Sequence, residues 1–226
     1  MTLSIIIPAY NSELFISDTI SKLSMFFPHA EIIVVNDGSN DNTLEILKNF
    51  GNSIKIIDYQ KNTGKGFALK QGFKLATGDI IVFTDADLPY PLEKIQEIVS
   101  TLEKNNDIGV AIAARPNFYE FGFRKLTHEC CSLGTNFLFW LKIKDTQCGL
   151  KGFKKYFIKK IEPFLISKNF TIDIELLYLA KITKTKIAKI SVTHSKQKFS
   201  TIKIFDIIKM GFELLKIRLT NYKKCL

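Results

Sequence analysis

Ile80-Ile81-Val82-Phe83-Thr84-Asp85-Ala86-Asp87 is a short apolar run that ends in two carboxylates one residue apart. The apolar run predicts a β-strand buried on both faces, as parallel sheets require. Two carboxylates at a strand end can ligate a hard divalent cation, which keeps water and phosphate oxygens as its other ligands. A solvated turn is the alternative, because Asp is common in turns. The other strand ends therefore decide between the two interpretations.

Similar apolar runs alternate with amphipathic stretches through the first half of the chain. The other predicted strands are residues 5–7, 32–35, 54–57 and 110–113. The predicted helices are residues 13–26, 43–50, 65–76 and 92–102, the second with a capping box at residues 42–45. This order predicts the α/β class, with right-handed βαβ units, an open and mostly parallel sheet, and helices on its faces.

Polar residues follow two further strands of this predicted sheet. The first strand ends in Pro8-Ala9-Tyr10-Asn11, and the second in Asn36-Asp37-Gly38-Ser39. Ligands of open α/β sheets bind at the carboxyl ends of the strands, so these residues and Asp85 should share one edge. The sequence contains neither G-x-G-x-x-G nor a Walker motif, and the spacing of Asn62-Thr63-Gly64-Lys65-Gly66 does not fit the latter. A dinucleotide dehydrogenase and a P-loop NTPase are therefore disfavoured.

The net charge of +10 over 226 residues is unevenly distributed. Residues 1–150 hold 14 Lys and Arg against 17 Asp and Glu, whereas residues 151–226 hold 18 against 5. This asymmetry suggests a polyanion or an anionic membrane surface at the basic end. Many of the lysines in residues 151–198 are expected on a solvated face.

The four cysteines indicate neither a zinc site nor a disulfide framework. They are Cys130, Cys131, Cys148 and Cys225, without C-x-x-C spacing, and reduced cytosolic thiols are the preferred interpretation. The N-terminus lacks a signal-peptide pattern, and no apolar run approaches the roughly 18 residues that span a bilayer. The expectation is a protein that is soluble or lies on a membrane.

Several segments, taken in order, resemble the motifs of family 2 glycosyltransferases with the Rossmann-like GT-A fold. These are residues 5–11, 34–39, 62–66 and 85–87. Residues 145–151, 173–177 and 210–219 are similar to the dolichyl-phosphate glucosyltransferase, or polyprenyl-phosphate hexosyltransferase, branch. The resemblance implies a GT-A domain over residues 1–200, and a basic amphipathic C-terminal helix follows over residues 201–226.

The resemblance also implies roles for individual residues on the donor side. Asp85 and Asp87 would carry Mg²⁺ or Mn²⁺ on the diphosphate, and the metal would neutralise charge that develops on the leaving group. Pro89 stands where relatives often have a polar residue, so fewer protein groups would hold the metal. The residues expected to bind the nucleotide sugar are Pro8, Ala9, Tyr10, Asn11, Glu13, Asp37, Ser39, Lys65 and Asp85.

On the acceptor side, a lipid phosphate is largely ionised at neutral pH and needs positive charge more than a general base. Arg115 and Arg124 are the candidate phosphate ligands, with Ser200 as a weaker one; a solvated arginine is the alternative. Asp145 is a candidate catalytic residue that could orient the acceptor or a sugar hydroxyl, and Gln147 could bond to the backbone instead.

Two further features bear on a lipid acceptor. The aromatic residues between 117 and 141 are either core or the wall of a lipid groove. Near the C-terminus one helical face carries an apolar stripe, which would either dock on the core or lie in a membrane surface among lysines. The stripe comprises Ile204, Phe205, Ile208, Phe212, Leu215, Leu219 and Tyr222.

The sequence thus predicts a metal-dependent, inverting glycosyltransferase, cytoplasmic and peripheral on the cytosolic face of a membrane. It would move glucose from UDP-glucose to dolichyl or polyprenyl phosphate, with a membrane-embedded partner protein as an alternative route to the membrane. GDP-mannose is the alternative donor, and a glycan or protein the alternative acceptor. A nucleic-acid-binding protein is disfavoured, because it would leave the acidic strand ends unexplained.

Overall fold

The computed structural model describes residues 1–115, 138–141, 143, 145–146, 148–192, 204–220 and 222, with backbone only for residues 204–208. The strands are β1 (Leu3–Ala9), β2 (Glu31–Asp37), β3 (Lys55–Tyr59), β4 (Ile80–Phe83), β5 (Ile108–Ala114), β6 (Lys151–Lys154) and β7 (Lys186–Ser191). The α-helices are α1 (Ile16–Phe26), α2 (Thr43–Lys48), α3 (Lys65–Leu75), α4 (Leu92–Lys104), α5 (Lys155–Ile161), α6 (Ile172–Ile182) and α7 (Ile204–Leu219). Short 3₁₀ turns occupy Gly51–Ser53 and Glu162–Phe164.

The seven strands form one sheet in the order β3-β2-β1-β4-β6-β5-β7. All neighbouring strands pair in parallel except β6, which lies antiparallel between β4 and β5. The predicted open, mixed and mostly parallel sheet is therefore confirmed. Because β1 lies between β2 and β4, the carboxyl ends of these three strands meet at one edge.

Both faces of the sheet are covered, as the continuous apolar runs predict. In β1, Ile6 belongs to one apolar layer together with residues of α3, α5 and α6. Ile5 and Ile7 point to the opposite layer, which α1, α2 and α4 cover. The alternation of side chains along the strand thus supplies two apolar layers from a single run of isoleucines.

Three local predictions need correction. β3 is not buried on both faces, because it is an edge strand paired only with β2 and is half-exposed along its length. The first helix begins at Ile16 rather than at residue 13. The capping box does not form: α2 has no side-chain cap from Asn42, and the Asp41 carboxylate instead accepts the backbone N–H of Thr43 at 3.0 Å.

The last helix, α7, docks on the core through a different face from the predicted stripe. Ile217 is fully buried, and the nearby Tyr222 donates a hydrogen bond to Glu175 at 2.6 Å. From the stripe, Phe212 and Leu219 are 72% and 83% exposed. The stripe as a whole is therefore not the docking face, although Tyr222 from it is buried.

Candidate active site

The two carboxylates after β4 lie at the sheet edge together with the first residue of α3. Lys65 Nζ is 2.7 Å from Asp85 Oδ1, and the side chain of Asp87 is exposed beside this pair. Partial burial, and then the negative charge of Asp85, raise the pKa of Asp87. The structure thus brings together Asp85, Asp87 and Lys65, as the sequence predicts.

A second ion pair lies directly beneath the first. The Asp173 carboxylate on α6 contacts Lys151 Nζ at 2.5 Å through Oδ1 and Lys65 Nζ at 3.6 Å through Oδ2. Burial opposes the charged form of Lys65, but the carboxylates of Asp173 and Asp85 more than offset it and raise the pKa of Lys65. Both ammonium groups also lie over the ring of Phe83, at 5.5 and 5.6 Å from its centroid. Charges of alternating sign therefore run from the sheet edge into the core.

Lys151 is an exception among the lysines of residues 151–198, many of which are exposed as expected. Its side chain is fully buried, and besides Asp173 it donates to the Cys148 carbonyl at 2.5 Å. A buried ammonium is costly unless it is paired and hydrogen-bonded, and both conditions are met here.

Gly149 sets the position of the Asp85 carboxylate. A Cβ atom at this glycine would fall 1.7 Å from Asp85 Oδ2, well inside contact distance. The absence of a side chain at position 149 thus leaves the space that the carboxylate occupies.

The carboxylates fit a divalent cation whose coordination is completed by a ligand. Within the described residues, no group of three or more Asp, Glu, His or Cys side chains is arranged to hold a metal. Mg²⁺ and similar hard cations are commonly bound by one or two carboxylates together with water and substrate phosphates. Asp85, seated against Gly149, and the exposed Asp87 match that donor set.

The predicted donor-binding residues of the first two strand ends contact one another. The backbone N–H of Asn11 donates to Ser39 Oγ at 2.9 Å, and Asn11 Oδ1 accepts the N–H of Asn40 at 2.8 Å. Glu13 Oε2 accepts the N–H of Asn42 at 3.0 Å. These bonds tie the loop after β1 to the loop after β2, at the edge of the sheet where β4 also ends.

Four other predicted donor residues differ in their surroundings. Tyr10 is 46% exposed and offers an aromatic face at the edge. Pro8 is half-buried, and the side chain of Ala9 packs in the core, so its backbone alone remains for a ligand. Asp37 is buried, which raises its pKa, although its two oxygens accept the N–H groups of Thr63 at 3.0 Å and Gly64 at 2.6 Å. In the structure Asp37 therefore fixes the loop that leads to Lys65.

On the acceptor side, Arg115 and Asp145 bind each other. Arg115 Nε and Nη2 donate to the two carboxylate oxygens of Asp145 at 2.7 and 3.0 Å. Burial opposes ionisation of both groups, but the mutual contact lowers the pKa of Asp145 and raises that of Arg115. Asp145 is thus an orienting partner of Arg115 in this structure, and Arg115 is not a solvated surface arginine.

Three predicted residues, Arg124, Gln147 and Ser200, lie outside the described residues. Of the aromatic stretch, Phe139 is core, with its ring 4.8 Å from that of Tyr178. Trp140 is 73% exposed and borders an apolar cleft together with Lys181 and Lys189. The stretch therefore supplies both core and surface.

Sequence reasoning missed the roles of Lys151, Asp173 and Gly149. The first two are charged residues in otherwise apolar surroundings, Leu150 before one and Ile172 and Ile174 around the other. Charges in such runs are seldom buried unless paired, and this was the available signal. The pairing itself depends on the fold.

The geometry of this edge can now be set beside known proteins. The family model described as "Glycosyl transferase family 2" matches residues 4–162, which span β1 to α5 and the whole edge described above. The chain belongs to glycosyl transferase family 2. This confirms the resemblance found in its motifs, and the protein is a glycosyltransferase.

Three relatives with similar sequences carry the same name. The dolichyl-phosphate beta-glucosyltransferase of Saccharomyces cerevisiae is 32% identical over 261 residues, which cover 99% of this chain and 78% of the relative. The human protein of that name is 30% identical over 243 residues, covering 96% of this chain and 75% of the relative. That of Dictyostelium discoideum is 28% identical, with coverages of 96% and 73%.

Solved structures confirm the fold. Glucosyl-3-phosphoglycerate synthase from Mycobacterium tuberculosis in complex with phosphoglyceric acid has a TM-score of 0.74, 19% identity, and coverages of 99% of this glycosyltransferase and 80% of that chain. Its complex with Mn²⁺, UDP and phosphoglyceric acid has a TM-score of 0.72, 20% identity, and coverages of 96% and 77%. At this identity the likeness concerns the GT-A fold.

Proposed function

We propose that this glycosyltransferase moves glucose from UDP-glucose to dolichyl phosphate or a similar polyprenyl phosphate, with Mg²⁺ or Mn²⁺ at Asp85 and Asp87. The observation that carries the proposal is the pairing of Lys65 with the first of these carboxylates at 2.7 Å, on the edge where the loops after β1 and β2 meet. A cation beside metal-ligating carboxylates is suited to a diphosphate. The yeast and human relatives, through their names, support glucose and dolichyl phosphate.

The reaction is a direct displacement at the anomeric carbon. An oxygen of the lipid phosphate attacks this carbon, the bond to the diphosphate oxygen breaks, and the electron pair leaves with UDP. An α-linked donor thus gives a β-linked product. A bound metal would neutralise the charge that develops on the leaving diphosphate. Lys65 would add a second positive charge there, and the Asn11–Ser39 contact would hold the nucleoside loops in place.

The acceptor phosphate is proposed to lie against Arg115. Because the monoester has a second pKa of about 6, the attacking oxygen is already ionised at neutral pH and requires orientation rather than deprotonation. Asp145 would orient the guanidinium through its bidentate contact. Arg124 and Ser200 stay predictions for the same phosphate.

Peripheral attachment to the cytosolic face of a membrane is also proposed, with α7 as the contact. Phe212, Leu215 and Leu219 are exposed along one side of this helix, and Lys209 and Lys216 are exposed near them. Exposed apolar side chains next to lysines are suited to an interface with anionic lipid. Among the described residues, no helix is long and apolar enough to cross a bilayer.

The test of the reaction is a donor panel. The full chain is incubated with UDP-glucose, GDP-mannose and other UDP- and GDP-sugars plus dolichyl phosphate, with Mg²⁺, Mn²⁺ or EDTA. We expect a glucosylated lipid from UDP-glucose only when metal is present. Asp87→Asn should lower turnover by about 100-fold, in the range of lost electrostatic stabilisation. The matched control is Asp18→Asn on the exposed face of α1.

Preference for GDP-mannose would overturn the donor assignment, and transfer to soluble glycans or peptides without lipid would overturn the acceptor. Membrane attachment is tested by sedimentation with vesicles containing phosphatidylserine. Phe212→Ser combined with Leu219→Ser should reduce binding by about 10-fold or more. Met25→Ser, at a residue that is 84% exposed on α1, is the control and should bind like the wild type.

A further inference from the structure

Lys65 lies between two carboxylates and is within hydrogen-bond distance of one of them. Its Nζ is 2.7 Å from Asp85 Oδ1 and 3.6 Å from Asp173 Oδ2. Charge-assisted hydrogen bonds are about 2.8 Å long, so a movement of about 1 Å would exchange one carboxylate for the other. A second acceptor is thus already in place for this ammonium.

The first acceptor is the carboxylate that the proposed function gives to the metal. An ammonium and a divalent cation on Asp85 repel each other, because like charges at such separations interact strongly in a partly buried site. Asp85 has little freedom to separate them, since its Oδ2 occupies the space left by Gly149. The lysine side chain, with its flexible stem, is the part that can move.

The second acceptor is held rigidly. Asp173 is buried, and its Oδ1 is bound to Lys151 Nζ at 2.5 Å. Lys151 in turn is anchored on the Cys148 carbonyl at 2.5 Å and is fully buried. The other oxygen of Asp173, Oδ2, is therefore kept directed at Lys65.

We propose that Lys65 is an exchangeable counter-ion of the metal site: it neutralises Asp85 in the metal-free protein and shifts to Asp173 when a divalent cation binds. Asp173 is a positioning residue for this exchange, and Lys151 fixes its orientation. The inference rests on the proposed function, because it takes Asp85 and Asp87 as the metal ligands. It adds that Lys65 competes with the cation for the Asp85 carboxylate.

The exchange has a consequence for ligand binding. A cation that binds alone must displace Lys65 from Asp85, whereas a nucleoside diphosphate offers the displaced ammonium a further anionic partner. Metal and nucleotide should therefore strengthen each other's binding, and by linkage the factor is the same in both directions. Lys65 thus adds to the coupling that direct coordination of the metal by the diphosphate provides.

The experiment measures Mn²⁺ affinity of the full chain by electron paramagnetic resonance of the free ion, without nucleotide and then with UDP. Lys65→Met should bind Mn²⁺ about 10-fold more tightly than wild type without nucleotide. Asp173→Asn should bind it at least about 3-fold more weakly, because Lys65 then has no second carboxylate. Lys74→Met, at an exposed lysine on the same helix, is the control and should match wild type.

A double-mutant cycle separates exchange from a general effect of charge. If Lys65 moves to Asp173, the Asp173→Asn change has no effect once Lys65 is methionine, so the double variant binds like Lys65→Met. Equal weakening by Asp173→Asn in both backgrounds would overturn the proposal. So would Lys65→Met binding no more tightly than Lys74→Met. UDP should strengthen Mn²⁺ binding in wild type and should strengthen it less in Lys65→Met, where only direct coordination of the metal by the diphosphate remains.

Folding is controlled in the same series. If Asp173→Asn fails to fold because Lys151 is left unpaired, the cycle is run in the Lys151→Met background, where no buried ammonium lacks its partner. Transfer assays on the wild type run in parallel. Turnover of a different sugar nucleotide, with the Mn²⁺ cycle as expected, would overturn the proposed donor and leave the exchange standing. Turnover of UDP-glucose with an additive cycle would do the reverse.

Discussion

The two halves of the sheet hold charge in opposite ways. At the edge formed by β1, β2 and β4, the proposed metal ligands are carboxylates, and Asp85 is paired with Lys65 at 2.7 Å. At the end of β5 the candidate ligand is a cation, and Arg115 is held by Asp145 through two hydrogen bonds. Each half thus carries a group of one sign together with its own counter-ion.

The difference lies in how each pair is held. Lys65 has a second carboxylate 3.6 Å away, so its pairing can change. The Arg115 pair is bidentate, and the side chain of Asp145 is only 1% exposed. A planar guanidinium bound at two points keeps its orientation, whereas an ammonium on a flexible stem is exchangeable. The proposed donor half would therefore allow exchange, and the proposed acceptor half would keep a fixed orientation.

The largest loss of function is expected when the space for the Asp85 carboxylate is filled. Gly149→Ala would place Cβ 1.7 Å from Asp85 Oδ2 and force the carboxylate away from the proposed metal position. We expect Mn²⁺ affinity and glucosyl transfer to fall by about 100-fold or more. Calorimetric titration and a turnover assay would check this. Gly211→Ala, at a glycine on α7 with open space around it, is the control; wild-type metal affinity in Gly149→Ala would contradict the assignment.

A smaller effect is expected on the acceptor side. Arg115→Lys keeps a positive charge but loses the two-point contact with Asp145, so the KM for dolichyl phosphate should rise by about 10-fold. The KM for UDP-glucose should stay within about 2-fold, since the donor edge is untouched. Steady-state kinetics with each substrate varied in turn would measure both. Equal increases in the two KM values would mean that Arg115 supports the fold rather than the acceptor.

The smallest effect is expected at the amino end of β2, on the side of the sheet opposite the acidic edge. It tests whether a change of pH acts generally on the protein. Burial opposes ionisation of Glu31, but hydrogen bonds from Lys55, Ser4 and Thr77 lower its pKa to about 2. Because the folded-state pKa lies below the unfolded value, this stabilisation is present above about pH 4.5 and is lost as the pH falls towards 2.

As the pH falls through that range, wild type should therefore lose about 1 kcal/mol of stability that Glu31→Gln does not lose, after allowance for solvent screening. Urea unfolding at several pH values would measure the change, with Glu45→Gln on the exposed face of α2 as the control. Identical acid dependence in Glu31→Gln and wild type would show that other carboxylates dominate.

Local pattern was enough to predict the parallel half of the fold and the acidic edge. The strands that carry Ile6, Val34 and Val82 are continuous apolar runs, and polar residues follow each of them. β6 was not predicted, because Lys151-Gly152-Phe153-Lys154 has no apolar run and becomes a buried strand only between two neighbours. The Lys151–Asp173 pair joins residues 22 positions apart, which no local pattern relates. The face through which α7 docks likewise depends on the core residues that it contacts.

The position of β6 orders the events by which the sheet can form. β4 and β5 do not pair with each other, since each pairs with β6 instead. β1 to β4 follow one another along the chain, and in the sheet β1 lies between β2 and β4, with β3 beside β2. β5 joins this group only after β6 (Lys151–Lys154) has inserted between β4 and β5. Contacts that close long loops form slowly, so β4 is expected to remain an open edge until late in folding. A nascent chain on the ribosome would therefore pair β1 to β4 before Gly149 and Asp173 reach Asp85 and Lys65, and the open edge of β4 is where a chaperone would bind.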